Sequence, residues 1–234
     1  MEDSRYLASA IIVAAGSGTR MGSPVAKQFI RLGGMPIISR TLKVFAAHPC
    51  ISGICLVVPE KDMDFCQKNI LPYVDGKINI RITAGGDQRQ DSVYCGLKAM
   101  GLHESLVVIH DGVRPFVSPE TIEACIYGAA RYGACIAGIP VSDTLKRVSS
   151  DKIITETVSR DCVWMAQTPQ AFAWDIIMKA FEKAASDGFL ATDDSSLVQR
   201  LGISVHVVQG SRRNIKITTP DDLRAVKQFF DTNT

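Results

Sequence analysis

Three stretches of this chain, ASAIIV (8–13), GICLVV (53–58) and LVVI (106–109), are apolar at nearly every position. A strand that is apolar on both sides has to be covered on both sides, which is the condition of a parallel sheet held between helices. Segments of helical period fall between such strands: Ile37–Ala47, Lys61–Leu71, Arg89–Met100 and Pro119–Arg131. Ile78–Thr83, Ala134–Ile139 and Ser204–Val208 read as further strands, and Asp175–Ala185, Ser195–Arg200 and Pro220–Phe230 as further helices, the last capped by Thr219. Right-handed crossovers then predict an α/β fold, a Rossmann-like, doubly wound and mostly parallel sheet. From about Val141 to Trp164 the rhythm breaks: VSDTLKRVSSDKIITETVSRDCVW is polar and β-branched around a turn at SSD. That segment predicts an inserted β-arm on one domain spanning 1–234.

Bulk properties exclude several classes of function. The chain has 234 residues, 21% of them charged, and a net charge of +2. It therefore has no overall field to draw in nucleic acid or an anionic membrane. The first residues, MEDSRYLAS, lack the order of a secretion signal, and no apolar run approaches the ~18 residues of a membrane span. The 7 cysteines are scattered without a C-x-x-C pair. Cys55, Cys95 and Cys135 sit in apolar settings and read as small hydrophobes, which points to a reducing, cytoplasmic location.

Ligands of open parallel sheets bind at the carboxyl ends of the strands, and four polar clusters fall at such ends. The first follows the opening strand, AAGSGTRMG and then Lys27. It lacks the Gly-Lys-Ser/Thr of a Walker loop, and Met21 stands where a dinucleotide fingerprint needs its third glycine. What remains is a set of amides freed by Gly16 and Gly18 beside Arg20 and Lys27, a cradle for a polyphosphate. A tight strand–helix turn with solvated basic residues would use the same letters. The second cluster, AGGDQRQDS, offers Gly85, Gly86, Asp87, Arg89 and Ser92, although Asp87 could also cap the helix that follows. The third, HDGVRP, places Asp111 where a carboxylate could hold Mg²⁺. Arg114 could pair with Asp111 or cap a helix, and His110 reads as a packed, hydrogen-bonded ring. The fourth, NIKITTPDD, carries Lys216. Taken alone, Lys216 and Arg160 read as solvated charges, Thr168 as extended before a proline, and Thr192, Asp193 and Asp194 as a helix start.

Together, in this order, AAGSGTRMG…KQ, GGDQRQDSV, HDGVRP, PVSDTLK, TPQ, TDDSS and NIKITTPDDL resemble the 2-C-methyl-D-erythritol 4-phosphate cytidylyltransferase family over nearly the whole chain. The resemblance implies a nucleotidyltransferase core, a homodimer formed through the arm, and Mg²⁺-dependent transfer of CMP from CTP to methylerythritol phosphate with release of pyrophosphate. It puts the CTP phosphates on Ala14, Ala15, Gly16 and Gly18 with Arg20 and Lys27, and cytosine and ribose near Gly86, Asp87, Arg89 and Ser92. It makes Asp111 the metal ligand, counts Asp111 and Arg114 among the substrate- and CTP-binding residues, and makes Arg20, Lys27, Arg160 and Lys216 the catalytic ones. Arg160 and Lys216 would hold the acceptor phosphate, with Thr144, Thr168 and Thr192 nearby. One departure is visible, since Gly112 and Val113 stand where the family's pattern has two alanines. The chemistry agrees with the resemblance. A phosphate oxygen is already ionised at neutral pH, so the reaction needs positioning and charge stabilisation and no serine, cysteine or strong base. A cytidylyltransferase for another alditol phosphate, such as ribitol 5-phosphate, would share every CTP-side motif. A nucleotide-binding regulatory module without turnover is the alternative of another class.

Overall fold

The computed structural model describes residues 6–16, 25–74, 76, 78–101 and 105–231. The elements, in chain order, are β1 (Ala8–Val13), β2 (Arg31–Leu32), β3 (Met35–Pro36), α1 (Ile37–Ala46), β4 (Ile51–Val58), α2 (Met63–Asn69), β5 (Asn79–Ala84), α3 (Arg89–Met100), β6 (Leu106–Asp111), α4 (Pro119–Tyr132), β7 (Ala134–Pro140), β8 (Leu145–Val148), β9 (Ile154–Val158), β10 (Trp164–Ala173), α5 (Trp174–Asp187), α6 (Asp194–Arg200), β11 (His206–Gln209) and α7 (Pro220–Asp231). Among the described residues seven strands form the main sheet, in the order β11-β7-β10-β6-β1-β4-β5. All neighbouring pairs are parallel except those made by β10, which runs antiparallel to both β6 and β7. The mostly parallel, Rossmann-like α/β sheet expected from the apolar strands is therefore what the chain forms.

Each face of the sheet carries its own core. Ala8, Ala10 and Ile12 of β1 pack with α1 and α4 through Ile38, Leu42, Phe45, Ile122 and Ile126. Ile11 and Val13 face the other way, toward α3, α5 and α6 through Val93, Leu97, Ile177, Phe181 and Leu197. Burying one such side chain contributes roughly 1.5–3 kcal/mol, so a strand apolar on both faces is stable only in this sandwich. The helices begin where their end groups are satisfied. Ser118 caps α4, accepting the Thr121 N–H at 3.3 Å, ahead of Pro119 at the first helical position. The α3 cap is Gln88, whose N–H is bonded by Asp91 at 3.1 Å, so Asp87 is left out of the cap and free for the cleft.

Strand β10 is absent from the sequence expectation, which passes from the arm to α5 without it. Its residues read QTPQ around a proline, and a proline argues against a central strand. The ladder yields there: its register to β7 shifts between Ala166 and Gln170, leaving Pro169 outside the regular pairing. The segment 141–164 does project a hairpin, β8 paired antiparallel with β9. Val148, Ile153 and Ile154 on it are exposed.

Candidate active site

The strand order reverses at β1, which has β4 on one side and β6 on the other. Outside the carboxyl ends of these strands lies a cleft of about 160 Å³, where an open α/β sheet takes its ligand. Its walls include Ala14, Ala15, Gly16, Lys27, Gly86, Asp87, Arg89, Ser92, Asp111 and Lys216, residues drawn from all four strand-end clusters. Gly18 and Arg20 lie outside the described residues. At Gly85 a Cβ atom would stand 2.5 Å from the Ala15 Cβ and 2.7 Å from Ser92 Oγ, so only glycine lets the second cluster close on the first. Ser92 Oγ fixes that loop by accepting the Gly86 N–H at 3.2 Å.

Asp111, the last residue of β6, is the electrostatic centre. It is 6% exposed. Arg89 Nε donates to Oδ1 at 3.1 Å, while Arg114 Nε at 3.2 Å and Lys216 Nζ at 3.1 Å reach Oδ2. Burial pushes the Asp111 carboxyl up, but Arg89, Lys216 and Arg114 outweigh it and hold the group well below the ordinary carboxylate range. Thr168 Oγ1 accepts the Asp111 N–H at 3.1 Å, which ties β10 to the site from beneath.

Lys216 reaches the cleft because its segment is pinned on both sides. Asn214 donates to the Thr168 carbonyl at 2.8 Å, Arg114 donates to the Asn214 carbonyl at 2.8 Å, and the Ile217 N–H meets the Val113 carbonyl at 3.0 Å. Lys216 is thus an ion-paired site residue, not the solvated charge its immediate neighbours suggest. Gly112 also finds its reason here. A Cβ at 112 would stand 2.5 Å from Ile38 Cδ1, so the glycine in HDGVRP is matched to the isoleucine beneath it. Val113 is buried and forms part of the cleft wall.

His110 is the packed ring the sequence suggests. Burial lowers its pKa to about 4, with Nε2 at 3.1 Å from the Arg114 carbonyl and the ring 4.9 Å from that of Phe45. It stays neutral near pH 7 and has no general-base role in view. Arg160, Thr144 and Thr192 are exposed and are not among the cleft-lining residues of this chain. The Arg160 guanidinium donates to the Ser142 carbonyl within the arm.

Two residues at or behind the cleft wall have no part in the site as the sequence reads. Gln28, next to Lys27, lines the cleft at 1% exposure, and neither its Oε1 nor its Nε2 has a hydrogen-bond partner. Its neighbour's charge draws the eye in KQ, and a buried amide has no sequence signal. Asp194 takes the Arg89 fork with both oxygens, at 3.0 and 2.8 Å. In TDDSS it reads as helix-start chemistry, but that work is done by Asp193, which accepts the Ser196 N–H at 3.1 Å.

Mg²⁺ can be tested against this donor set. Among the described residues no group of three or more His, Cys, Asp or Glu side chains could enclose a metal. Mg²⁺, however, is commonly held by one carboxylate together with substrate phosphates and water. Asp111 offers about four lone-pair directions, and the three cations take three, so the residues fit a metal bound through one oxygen of Asp111.

The family profile of 2-C-methyl-D-erythritol 4-phosphate cytidylyltransferase matches residues 8–231. Relatives of that description include one from Syntrophus aciditrophicus, 51% identical over 222 residues and 94% of each chain. Another, from Geobacter metallireducens, is 44% identical over 94% of this chain and 96% of its own. Among solved structures, 4-diphosphocytidyl-2C-methyl-D-erythritol synthase from Anaerococcus prevotii superposes with a TM-score of 0.85 at 37% identity, covering 97% of this chain and 96% of that one. The 2-C-methyl-D-erythritol 4-phosphate cytidylyltransferase of Thermus thermophilus gives 0.78 at 29% identity, over 96% and 98%. With the family profile spanning residues 8–231 and a relative of that description 51% identical over 94% of the chain, this protein belongs to the 2-C-methyl-D-erythritol 4-phosphate cytidylyltransferase family.

Proposed function

We propose that the cleft binds CTP with Mg²⁺ and that a homodimer, joined through the β8–β9 arm, is the working unit. The chain is a cytidylyltransferase that transfers CMP from CTP to 2-C-methyl-D-erythritol 4-phosphate. The triphosphate lies along Ala14, Ala15 and Gly16 with Lys27, joined by Gly18 and Arg20 of the same loop. Gly86, Asp87, Arg89 and Ser92 border the nucleoside, and Asp111 is the metal ligand. Lys216 faces the acceptor phosphate, with Thr168 beneath. Arg160, Thr144 and Thr192 complete that side, and Arg160 enters from the partner chain.

An oxygen of the acceptor phosphate forms the new bond to the α-phosphorus. The bond from that phosphorus to the oxygen bridging the β-phosphate breaks, and pyrophosphate leaves. Lys27 and Lys216 line the cleft from different strand-end loops and offset the charge of the two phosphates that have to meet. Gly85 keeps the second loop closed on the first, which holds the nucleotide in line. Asp111 would hold the Mg²⁺, whose charge would stabilise the negative charge that develops as pyrophosphate leaves. The observation that carries this reading is the meeting of Lys27, Lys216, Arg89 and Asp111 in one cleft beside a neutral, buried His110.

The deciding experiment measures pyrophosphate release from CTP and Mg²⁺ with methylerythritol phosphate or ribitol 5-phosphate as acceptor. Release with the first alone supports the proposal. Release with the second alone would reassign the acceptor, and CTP binding without release would indicate a regulatory module. Loss of turnover in EDTA, restored by Mg²⁺, tests the metal.

A further inference from the structure

The carboxylate of Asp194 lies in the first turn of α6 but does not cap it, since Asp193 does. It is nevertheless 1% exposed, with both oxygens on the Arg89 guanidinium. That guanidinium turns its third edge to Asp111, Nε to Oδ1 at 3.1 Å. Arg89 therefore stands between two carboxylates, its two-point fork on the one remote from the cleft and a single bond on the one in the cleft wall. A bidentate arginine–carboxylate contact is the stronger and more directional of the two, so Asp194 fixes the plane in which Arg89 meets Asp111.

The charges make this more than a pin. Asp111 and Asp194 stand against Arg89, Arg114 and Lys216, one net positive charge over the five groups. Without the Asp194 charge the same spot carries two, and Arg89 is released to settle with both of its donor edges on Asp111. A divalent cation would then meet stronger repulsion and a covered carboxylate, whereas a bare polyphosphate would meet a more attractive field.

We propose that Asp194 is a positioning residue for the nucleotide's divalent cation, drawing the Arg89 fork to itself so that one lone-pair direction of Asp111 stays open. The proposal rests on the reading of the cleft as a CTP–Mg²⁺ site. A plain structural tie between α6 and α3 would act differently, weakening every ligand of the cleft alike.

The experiment follows two probes by calorimetry: pyrophosphate without metal, and Mg²⁺ titrated at fixed CTP. Wild type, Asp194→Asn and Arg89→Lys are compared at a temperature where circular dichroism gives each the wild-type spectrum. Asp194→Asn should raise the half-saturating Mg²⁺ about tenfold or more while metal-free pyrophosphate binds equally or more tightly. Arg89→Lys keeps the charge but loses the fork, so it should shift the Mg²⁺ dependence the same way. It also supplies the answer if Asp194→Asn does not fold. Unchanged Mg²⁺ dependence in a folded variant, or a parallel loss of both affinities, overturns the proposal. A wild-type protein that binds neither CTP nor pyrophosphate would overturn the nucleotide reading itself, and this inference with it.

Discussion

Lys216 Nζ stands 3.1 Å from Asp111 Oδ2, across the mouth of the cleft. Asp111 does not depend on it for ionisation, because Arg89 and Arg114 hold the same carboxylate. Lys216 is the more exposed partner and is placed to turn toward an incoming phosphate. Lys216→Met should therefore leave the circular dichroism spectrum and melting temperature near wild type while kcat falls by ~10²-fold. A comparable loss of stability would mean that the lysine serves the fold.

Gln28 carries the opposite signature. A buried amide without a partner costs about 1–3 kcal/mol, and its place in the cleft wall makes the nucleotide the natural source of that partner. Gln28→Leu keeps the volume and removes the unpaired groups. The urea midpoint should hold or rise, and KM for CTP should increase by about tenfold, the equivalent of one lost hydrogen bond to a charged group. A stabilised variant with wild-type KM would show that Gln28 only fills space.

The placement of Arg160 in a partner's cleft is checked by complementation. Lys27→Ala and Arg160→Ala chains should each be inactive alone. Within a mixed dimer one site collects both lesions and the other none, if Arg160 crosses the interface. Random exchange then returns roughly a quarter of wild-type turnover, since half the dimers are mixed and each has one sound site. Proven exchange of subunits with no recovery places Arg160 in its own subunit's site.

His48 makes stability depend on pH. Its Nδ1 accepts the Cys50 N–H at 3.2 Å and its Nε2 faces the Pro119 carbonyl at 3.1 Å, which requires the neutral ring with the proton on Nε2. Burial lowers its pKa below the usual 6.5, against smaller opposing effects from the Pro119 carbonyl, Glu123 and Glu120. The unfolded chain therefore takes up the proton first. The contribution is complete above pH ~6.5 and is lost as pH falls through the lower folded value. Urea unfolding at pH 7.5 and pH 5.5 should show a lower midpoint at the acid value, and His48→Gln should shrink the difference.

Sequence carries those parts of this protein that are written as periodicity or as short polar runs at strand ends. The limits of β1 and α3 were readable to the residue, because apolar strands and a Gly-Gly-Asp loop leave few alternatives. The meeting of Lys27, Arg89, Asp111 and Lys216 in one cleft follows from the rule that parallel strands share a carboxyl edge. Strand β10 was not readable, since its proline speaks against a strand and only the register shift beside β7 accommodates it. The assignments of Gln28 and Asp194 depend on burial and on which side chain satisfies which, and neither is encoded in local spacing.

The pairing of β7 with β10 has a consequence for how separable the arm is. Pro140 and Trp164 are direct partners in that ladder, so the chain leaves and re-enters the sheet at adjacent points. Residues 141–163 are thus an appendix whose two ends already meet, and a two-residue hairpin turn has the reach to close the gap. Excision there should yield a folded, monomeric core by sedimentation that still takes up CTP and turns nothing over. The catalytic cleft and the means of assembly would then be two modules that one hairpin joins, each open to redesign without the other.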